Sequence, residues 1–483
     1  MKEGLTMSLS NAIERYLRRL DDAGLSTHNV LIARGDDILF EKYYPPFTAD
    51  FLHREYSQSK SIVSLAVGFA YTEGLISLDD PIGKYFPDET NGVKDPKMAE
   101  QTIRNMLMMS TPKHAINWFN ARTPDRVRQY FETTTTAAPL GSEFQYDSPG
   151  SFVLGAMVEQ LSGMSLTEYL RPRLFDKLGV SAGIHCLKCP GGHSWGDSAF
   201  LATARDMMKL LRFVMDGGRV NGEQLIDAGY MRDAVKPLIP TIPAESAHRR
   251  SSQGYGYLIW KLYGEGFYFN GMGCQFSVAV PEKDLILIYN GDNQGIGTAG
   301  DTVIDSFYDI VVPAVDESDD SSARVSLETY ASGLKLMSAR GLNSSPLEKK
   351  ISGKRYTLDE NPMGIKWLEL TFGETCKMSY ENAQGMKEFA FGRCENLFGL
   401  FPEEGYSREV GSVFCPGSYY KTAFSGAWKD SKTLLIDVQA IDEYFGRLWI
   451  TLGFDGDKIS VNMFKSAEDF FTTYSGKAEG KMV

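Results

Sequence analysis

Long apolar runs are missing from this 483-residue chain. No stretch approaches the ~20 consecutive apolar residues that cross a bilayer. Residues 1–24 read as a charged segment with an amphipathic helix, Ile13, Tyr16, Leu17 and Leu20 on one face, rather than as a basic-then-apolar leader. The expected location is therefore cytoplasmic, with no membrane partner. Cysteine is scarce: six in so long a chain do not make a disulfide framework. The one local pair, Cys186 and Cys189, is flanked by His185 and His193. Zinc ligands so close together would be cramped against the usual spacing, so these read as free thiols, and no metal or other cofactor is expected. Positive charge is neither in excess nor clustered. Fifty Lys and Arg stand against 62 Asp and Glu, a formal net charge of −12, which argues against nucleic acid as a partner. The six histidines (His28, His53, His114, His185, His193, His248) sit in no motif, so a Ser-His-Asp triad has no support.

What is present is enough apolar residue, 43% of the chain, to bury large cores in two or three domains. After the N-terminal helix, His28–Ala33 and Ile38–Tyr44 read as a hairpin around Arg34-Gly35-Asp36-Asp37. A long apolar helix runs from Ser57 to about Leu75. Shorter helices follow at Thr102–Met109, Asp125–Phe131, Phe152–Leu161, Leu166–Leu178 and Ala204–Met215. Four alternating runs, Gly254–Trp260, Gly266–Phe269, Gln275–Val280 and Leu285–Tyr289, predict further antiparallel strands, closed by a helix at about Thr302–Val312. The acidic run Asp316–Ser322 reads as a domain boundary, with a helix at Leu327–Met337 after it. From Ile351 short β-like runs recur between Gly, Asn and Asp turns, as in a small antiparallel barrel or sandwich.

The chemistry-bearing stretch is Ser57-Gln58-Ser59-Lys60 at the head of the apolar helix. Residues three apart share a helix face, so a hydroxyl and an amine converge. Ser110/Lys113 and Ser332/Lys335 have the same spacing, but only Ser57 heads a helix apolar enough to hold and desolvate an amine. Read alone, Ser57 serves equally well as a helix cap. Two more marks follow in order: Tyr146-Asp147-Ser148, and Phe269-Asn270-Gly271-Met272-Gly273 before an alternating strand.

Together these resemble the serine β-lactamase and penicillin-binding protein superfamily, most closely its branch of class C β-lactamases, related esterases and D-aminopeptidase-type hydrolases. The resemblance covers about residues 8–313. It implies an α+β fold, an antiparallel sheet flanked by helices with a mostly helical subdomain, followed by a C-terminal β-barrel-like appendage. The implied domains are 1–315 (hydrolase), 316–350 (linker and helix) and 351–483 (β-rich, lipocalin-like barrel or sandwich).

By the same resemblance Ser57 is the acylated nucleophile, Lys60 its proton acceptor and Tyr146 the proton relay. The backbone N–H groups of Ser57 and Met272 form the oxyanion hole, and Ser148, Phe269, Asn270 and Gly271 contact substrate. Ser148 stands where many members have asparagine. Phe269 stands where many have Lys or His, a cation that binds a substrate carboxylate. Its replacement shifts the expected substrate to a small ester, amide or short peptide without that carboxylate. Two alternatives stay open: a penicillin-recognising D-peptidase or β-lactamase, and an idle member that senses ligand or binds protein.

Overall fold

The structure is a computed structural model that describes residues 7–112, 114, 123–135, 139–241, 249–319, 321–405, 415–467 and 471–483. The chain divides into two compact units, the first ending at Lys335 and the second beginning at Leu336. The acidic run read as a boundary lies inside the first unit. There Asp319 accepts from both the backbone N–H and the hydroxyl of Ser10, at 2.7 and 2.8 Å. The helix after it, Ser321–Ser332, packs on the N-terminal helix Leu9–Asp22. Among the described residues no helix is long and apolar enough to cross a membrane.

The first unit is built on a six-stranded antiparallel sheet whose spatial order is Asp37–Tyr43, Thr27–Arg34, Leu285–Gly291, Gln275–Val280, Phe267–Gly271 and Trp260–Lys261. Its central strands read as nearly continuous apolar runs because both faces are covered. Period-two alternation sorts their side chains. Val30, Ile32, Tyr268, Val278 and Leu287 face one core, which holds Ile13, Tyr16, Leu17 and Leu20 of the N-terminal helix together with Val303, Ile304 and Phe307. Leu31, Ala33, Phe267, Phe269, Ala279 and Ile288 face the other, which holds the helix Ser59–Thr72 and the helical subdomain.

The helix Ser59–Thr72 is buried on every side from Ser59 to Ala70, as an apolar helix at the centre of a large unit should be. It crosses the helix Ser148–Ser162. The crossing is close at Gly155, where a Cβ would meet Leu166 at 3.1 Å and Val63 at 3.7 Å.

Three expected elements come out differently. The run Gly254–Trp260 is not a strand, and only Trp260–Lys261 joins the sheet. Gly254 and Leu258 take positive φ (103° and 56°), turning the chain inward, and the Leu258 carbonyl accepts from Ser61 on the central helix at 2.8 Å. The helix expected from Phe152 begins at Ser148, capped by Asp147. The expected Leu166–Leu178 helix is interrupted by a wider turn at Arg171–Phe175, which contains Pro172, a residue with no N–H to continue the ladder.

The second unit is an antiparallel β-barrel of nine strands, closed by a short parallel contact of Gly392–Arg393 with Ser425–Gly426. Along Thr433–Ile441 and Phe445–Asp455 the residues Leu434, Ile436, Val438, Leu448, Ile450 and Leu452 are fully buried, so side chains fill this wall.

The close helix crossing yields a test. Gly155→Leu forces the central helix from the helix that carries the Asp147 cap. It should destabilise the protein by about 1–3 kcal/mol in urea denaturation, the usual cost of overpacking, and slow any acylation of Ser57 beyond what lost stability explains.

Candidate active site

Ser57 lies in a single 3-10 turn, Tyr56–Gln58, immediately before the central helix. It is not a helix cap: the helix starts at Ser59 with no side-chain cap. Instead the Ser57 hydroxyl accepts from the Lys60 amine at 2.8 Å, and the same amine donates to the Asp197 carbonyl at 2.6 Å. Lys60 is only 2% exposed. A desolvated amine needs hydrogen-bond partners, and these two are supplied from its own helix turn and from the 197–200 segment. That segment is tied to the turn by Phe200 N–H to Ser59 Oγ (3.0 Å) and Glu55 N–H to the Phe200 carbonyl (2.8 Å).

The residue before Ser57 is strained. Tyr56 has φ 45°, a left-handed conformation that costs a bulky residue roughly 1–3 kcal/mol and persists only where the surroundings enforce it. They do so here. Tyr56 is buried, its ring lies under the Arg54 guanidinium at 4.5 Å, and Arg54 is held by the Ser198 carbonyl (3.0 Å) and hydroxyl (3.1 Å).

Tyr146 reaches the pair from the other side. The Lys60 nitrogen is 5.1 Å from its ring centroid. The ring stacks on Trp260 at 6.0 Å, and Trp260 in turn meets Tyr255 at 4.9 Å and Phe144 at 5.7 Å. With 38% of its surface exposed, Tyr146 is the most open member of this group, Phe144 and Trp260 are half-buried, and Tyr255 and Tyr257 are core. Trp118 and Phe119, expected near the rim, lie outside the described residues.

The backbone on both sides of Tyr146 is fixed. Gln145 N–H donates to the Met109 carbonyl at 2.7 Å. Asp147, buried, accepts from Gly150 N–H (2.8 Å), Thr111 (2.8 Å) and Tyr130 (3.1 Å), and lies 3.0 Å from His114 Nε2. Burial works to raise the Asp147 pKa, but His114 and the other donors outweigh it and hold the carboxyl below the usual aspartate value.

The third motif forms the strand Phe267–Gly271 and the turn after it. Gly271 lies against the turn that carries Ser57 so closely that a Cβ would collide with the Glu55 carbonyl. Met272 follows in the turn, 39% exposed, and Asn270 is half-buried. Phe269 requires a correction: expected to contact substrate, it is fully buried on the sheet face beneath the central helix, so its side chain has no surface to offer a ligand. Ser148 is half-buried as the first residue of its helix, and its carbonyl accepts from Ser151 at 2.7 Å.

Other candidates separate from this site. Cys186 and Cys189 are buried, and His193 Nδ1 contacts Glu159 at 2.8 Å. Among the described residues no cluster of His, Cys, Asp and Glu fits a metal. The Asp197 carbonyl escaped the sequence reading because a backbone acceptor leaves no residue-type signature. Glu55, two residues before Ser57, belongs to none of the three motifs. Burial drives its carboxyl well above the ordinary glutamate pKa, against the opposing donors Asn290 and Gln58.

An antiparallel sheet between two helical layers, with a half-buried Ser57 bonded to a buried Lys60 at the head of the central helix, is the architecture of the β-lactamase and penicillin-binding protein superfamily of serine hydrolases. The Beta-lactamase family model matches residues 13–295, and the chain belongs to that family.

The 6-aminohexanoate-dimer hydrolase of Paenarthrobacter ureafaciens is 26% identical over 242 residues, covering 47% of this chain and 61% of that protein. An uncharacterized protein of Alkalihalophilus pseudofirmus is 26% identical over 188 residues, covering 35% and 50%. The chain thus matches only about three fifths and one half of these relatives' lengths. Among solved structures, the octameric penicillin-binding protein homologue from Pyrococcus abyssi superposes with a TM-score of 0.50 at 15% identity, over 98% of this chain and 100% of its own. EstCE1, a hydrolase with promiscuous acyltransferase activity, gives 0.51 at 15% identity, over 63% and 98%. At these identities the likeness is one of fold.

The Asp147 cage sets a pH test. A carboxyl with a depressed folded-state pKa contributes stability above its unfolded value, about 3.9, and loses it as pH falls through the folded value. Asp147→Asn should therefore lower the thermal midpoint at neutral pH, with the gap to the unmutated protein narrowing below about pH 4. A gap constant from neutral to strongly acidic pH would contradict the cage.

Proposed function

We propose that the protein hydrolyses a small ester or amide through an acyl-enzyme on Ser57. The observation that carries this reading is the 2.8 Å contact between the Ser57 hydroxyl and the buried Lys60 amine. A serine hydroxyl becomes a competent nucleophile only when a neighbour takes its proton. In its neutral form Lys60 keeps its donation to the Asp197 carbonyl and turns its lone pair toward Ser57, reversing the direction of that contact.

Ser57 Oγ then bonds to the substrate carbonyl carbon as its proton passes to Lys60. The Ser57 and Met272 N–H groups stabilise the oxyanion, where one such donor is typically worth about 3 kcal/mol of barrier. As the carbon–leaving-group bond breaks, Tyr146 hands a proton to the departing oxygen or nitrogen and recovers one from Lys60. Water adds to the acyl carbonyl by the same route and releases Ser57.

Phe269 narrows the substrate. A buried phenyl ring at this position supplies no cation for a carboxylate beside the scissile bond. This favours substrates neutral at that point, such as simple esters or small amides; the Paenarthrobacter relative is named for a 6-aminohexanoate dimer. Penicillins and D-peptides with a free terminal carboxylate are disfavoured.

Ser57→Ala should abolish both turnover of p-nitrophenyl butyrate and labelling by a fluorophosphonate located by peptide mass spectrometry. Lys60→Met and Tyr146→Phe should each lower kcat by about 10²–10⁴. Undiminished turnover by Ser57→Ala would overturn the assignment, and Ser57-dependent nitrocefin hydrolysis faster than ester hydrolysis would overturn the substrate reading.

A further inference from the structure

Five polar side chains between the nucleophile turn and the sheet are all fully buried: Glu55, Gln58, Gln275, Ser277 and Asn290. They form a continuous chain. Gln58 Nε2 donates to Glu55 Oε2, and Gln58 Oε1 accepts from Ser277 Oγ at 2.6 Å. Asn290 Nδ2 contacts Glu55 Oε2 at 3.3 Å and donates to Gln275 Oε1 at 3.0 Å. Gln275 Nε2 donates to the Met272 carbonyl at 3.0 Å and the Gly291 carbonyl at 2.6 Å, while its Oε1 accepts from Gly291 N–H at 3.3 Å.

The chain begins on the residues flanking Ser57 and ends on the carbonyl of Met272. Those are the two places whose backbone N–H groups the proposed mechanism uses as oxyanion donors.

Holding the sheet together does not require these groups. Gln275 already pairs with Gly271 in the antiparallel ladder, Ser277 with Phe269, and Asn290 with Asn29. Buried polar groups cost desolvation unless fully bonded, and well-packed apolar residues of the same volume are commonly as stable or more so. What an apolar filling lacks is direction. It does not fix the distance and orientation of one turn against another, whereas a chain of hydrogen bonds does. The requirement is tight, because oxyanion donors act only within about 2.7–3.1 Å of the developing charge.

We propose that Gln275, with Gln58, Ser277, Asn290 and Glu55, is a positioning device that locks the Met272 turn to the nucleophile turn and so sets the oxyanion hole. The inference rests on the reading of Ser57 and Met272 given above. None of the five touches substrate, and each acts through the backbone it holds.

The test uses the full chain with Gln275→Met, which keeps length and burial but removes the three hydrogen bonds to Met272 and Gly291. Steady-state hydrolysis of p-nitrophenyl butyrate, the rate of fluorophosphonate labelling of Ser57 and the thermal midpoint are measured together. The expected result is a fall of about 10–100-fold in both kcat and labelling rate, with KM close to that of the unmutated protein. Gln58→Met should behave alike. The double variant should lose less than the product of the single losses, because both cut one chain. If Gln275→Met does not fold, Ser277→Ala, which deletes one hydroxyl, should give a smaller loss in kcat and labelling, again without a change in KM.

Wild-type kcat and labelling rate in Gln275→Met would overturn the positioning role, as would a loss confined to thermal midpoint and KM. Either of these results with Ser57 still labelled removes this inference alone. An unlabelled Ser57 in the unmutated protein removes the parent reading, and this one with it.

Discussion

A lysine amine taken out of water has to be met by oxygen, and the first unit of this protein is arranged around meeting it. Lys60 is reached by the Ser57 hydroxyl from one side and the Asp197 carbonyl from another. Hydrogen bonds contribute about 0.5–1.5 kcal/mol each, and leaving a buried polar group unbonded costs about 1–3 kcal/mol. The apolar sides of the central helix keep water away. The 197–200 segment is held by Arg54 and Ser59. The strained Tyr56 brings Ser57 round to the amine. Remove the Ser–Lys contact and each of these features loses its reason.

Two rigid supports then determine what can approach. Asp147 fixes the segment that presents Tyr146 by drawing three donors, and the His114 imidazole in ion-pair contact, onto one carboxylate. Gly271 lets the edge strand press against the Glu55 carbonyl. The turn that carries Ser57 thus lies between a helical layer and a sheet, and Ser57 and Tyr146 sit on segments bonded to the scaffold on both sides.

Much of this was legible in the sequence. The sheet-forming runs, the apolar central helix and the order of the three motifs follow from periodicity and turn chemistry, and the family resemblance agrees with the fold. Gly254–Trp260 misled because alternating aromatic and glycine residues also suit a loop that dips into a core, and nothing in the residue types reports a positive φ at Leu258. Phe269 misled differently. Its place in the motif marked it as a ligand contact, whereas its apolar character, taken at face value, indicated a buried position. Contacts made by backbone carbonyls, such as that of Asp197, leave no trace in residue type. Neither does a buried network whose members are scattered from Glu55 to Asn290.

In the proposed reaction Ser57 is the acylated group, and two backbone donors, at Ser57 and Met272, face the charge it generates. The most direct measurement is a crystal structure of the protein after fluorophosphonate treatment. The expected result is a phosphorus–Oγ bond at Ser57, with the phosphoryl oxygen about 2.7–3.1 Å from both the Ser57 and Met272 nitrogens. An adduct on another residue, or a phosphoryl oxygen turned toward solvent away from Met272, would contradict it.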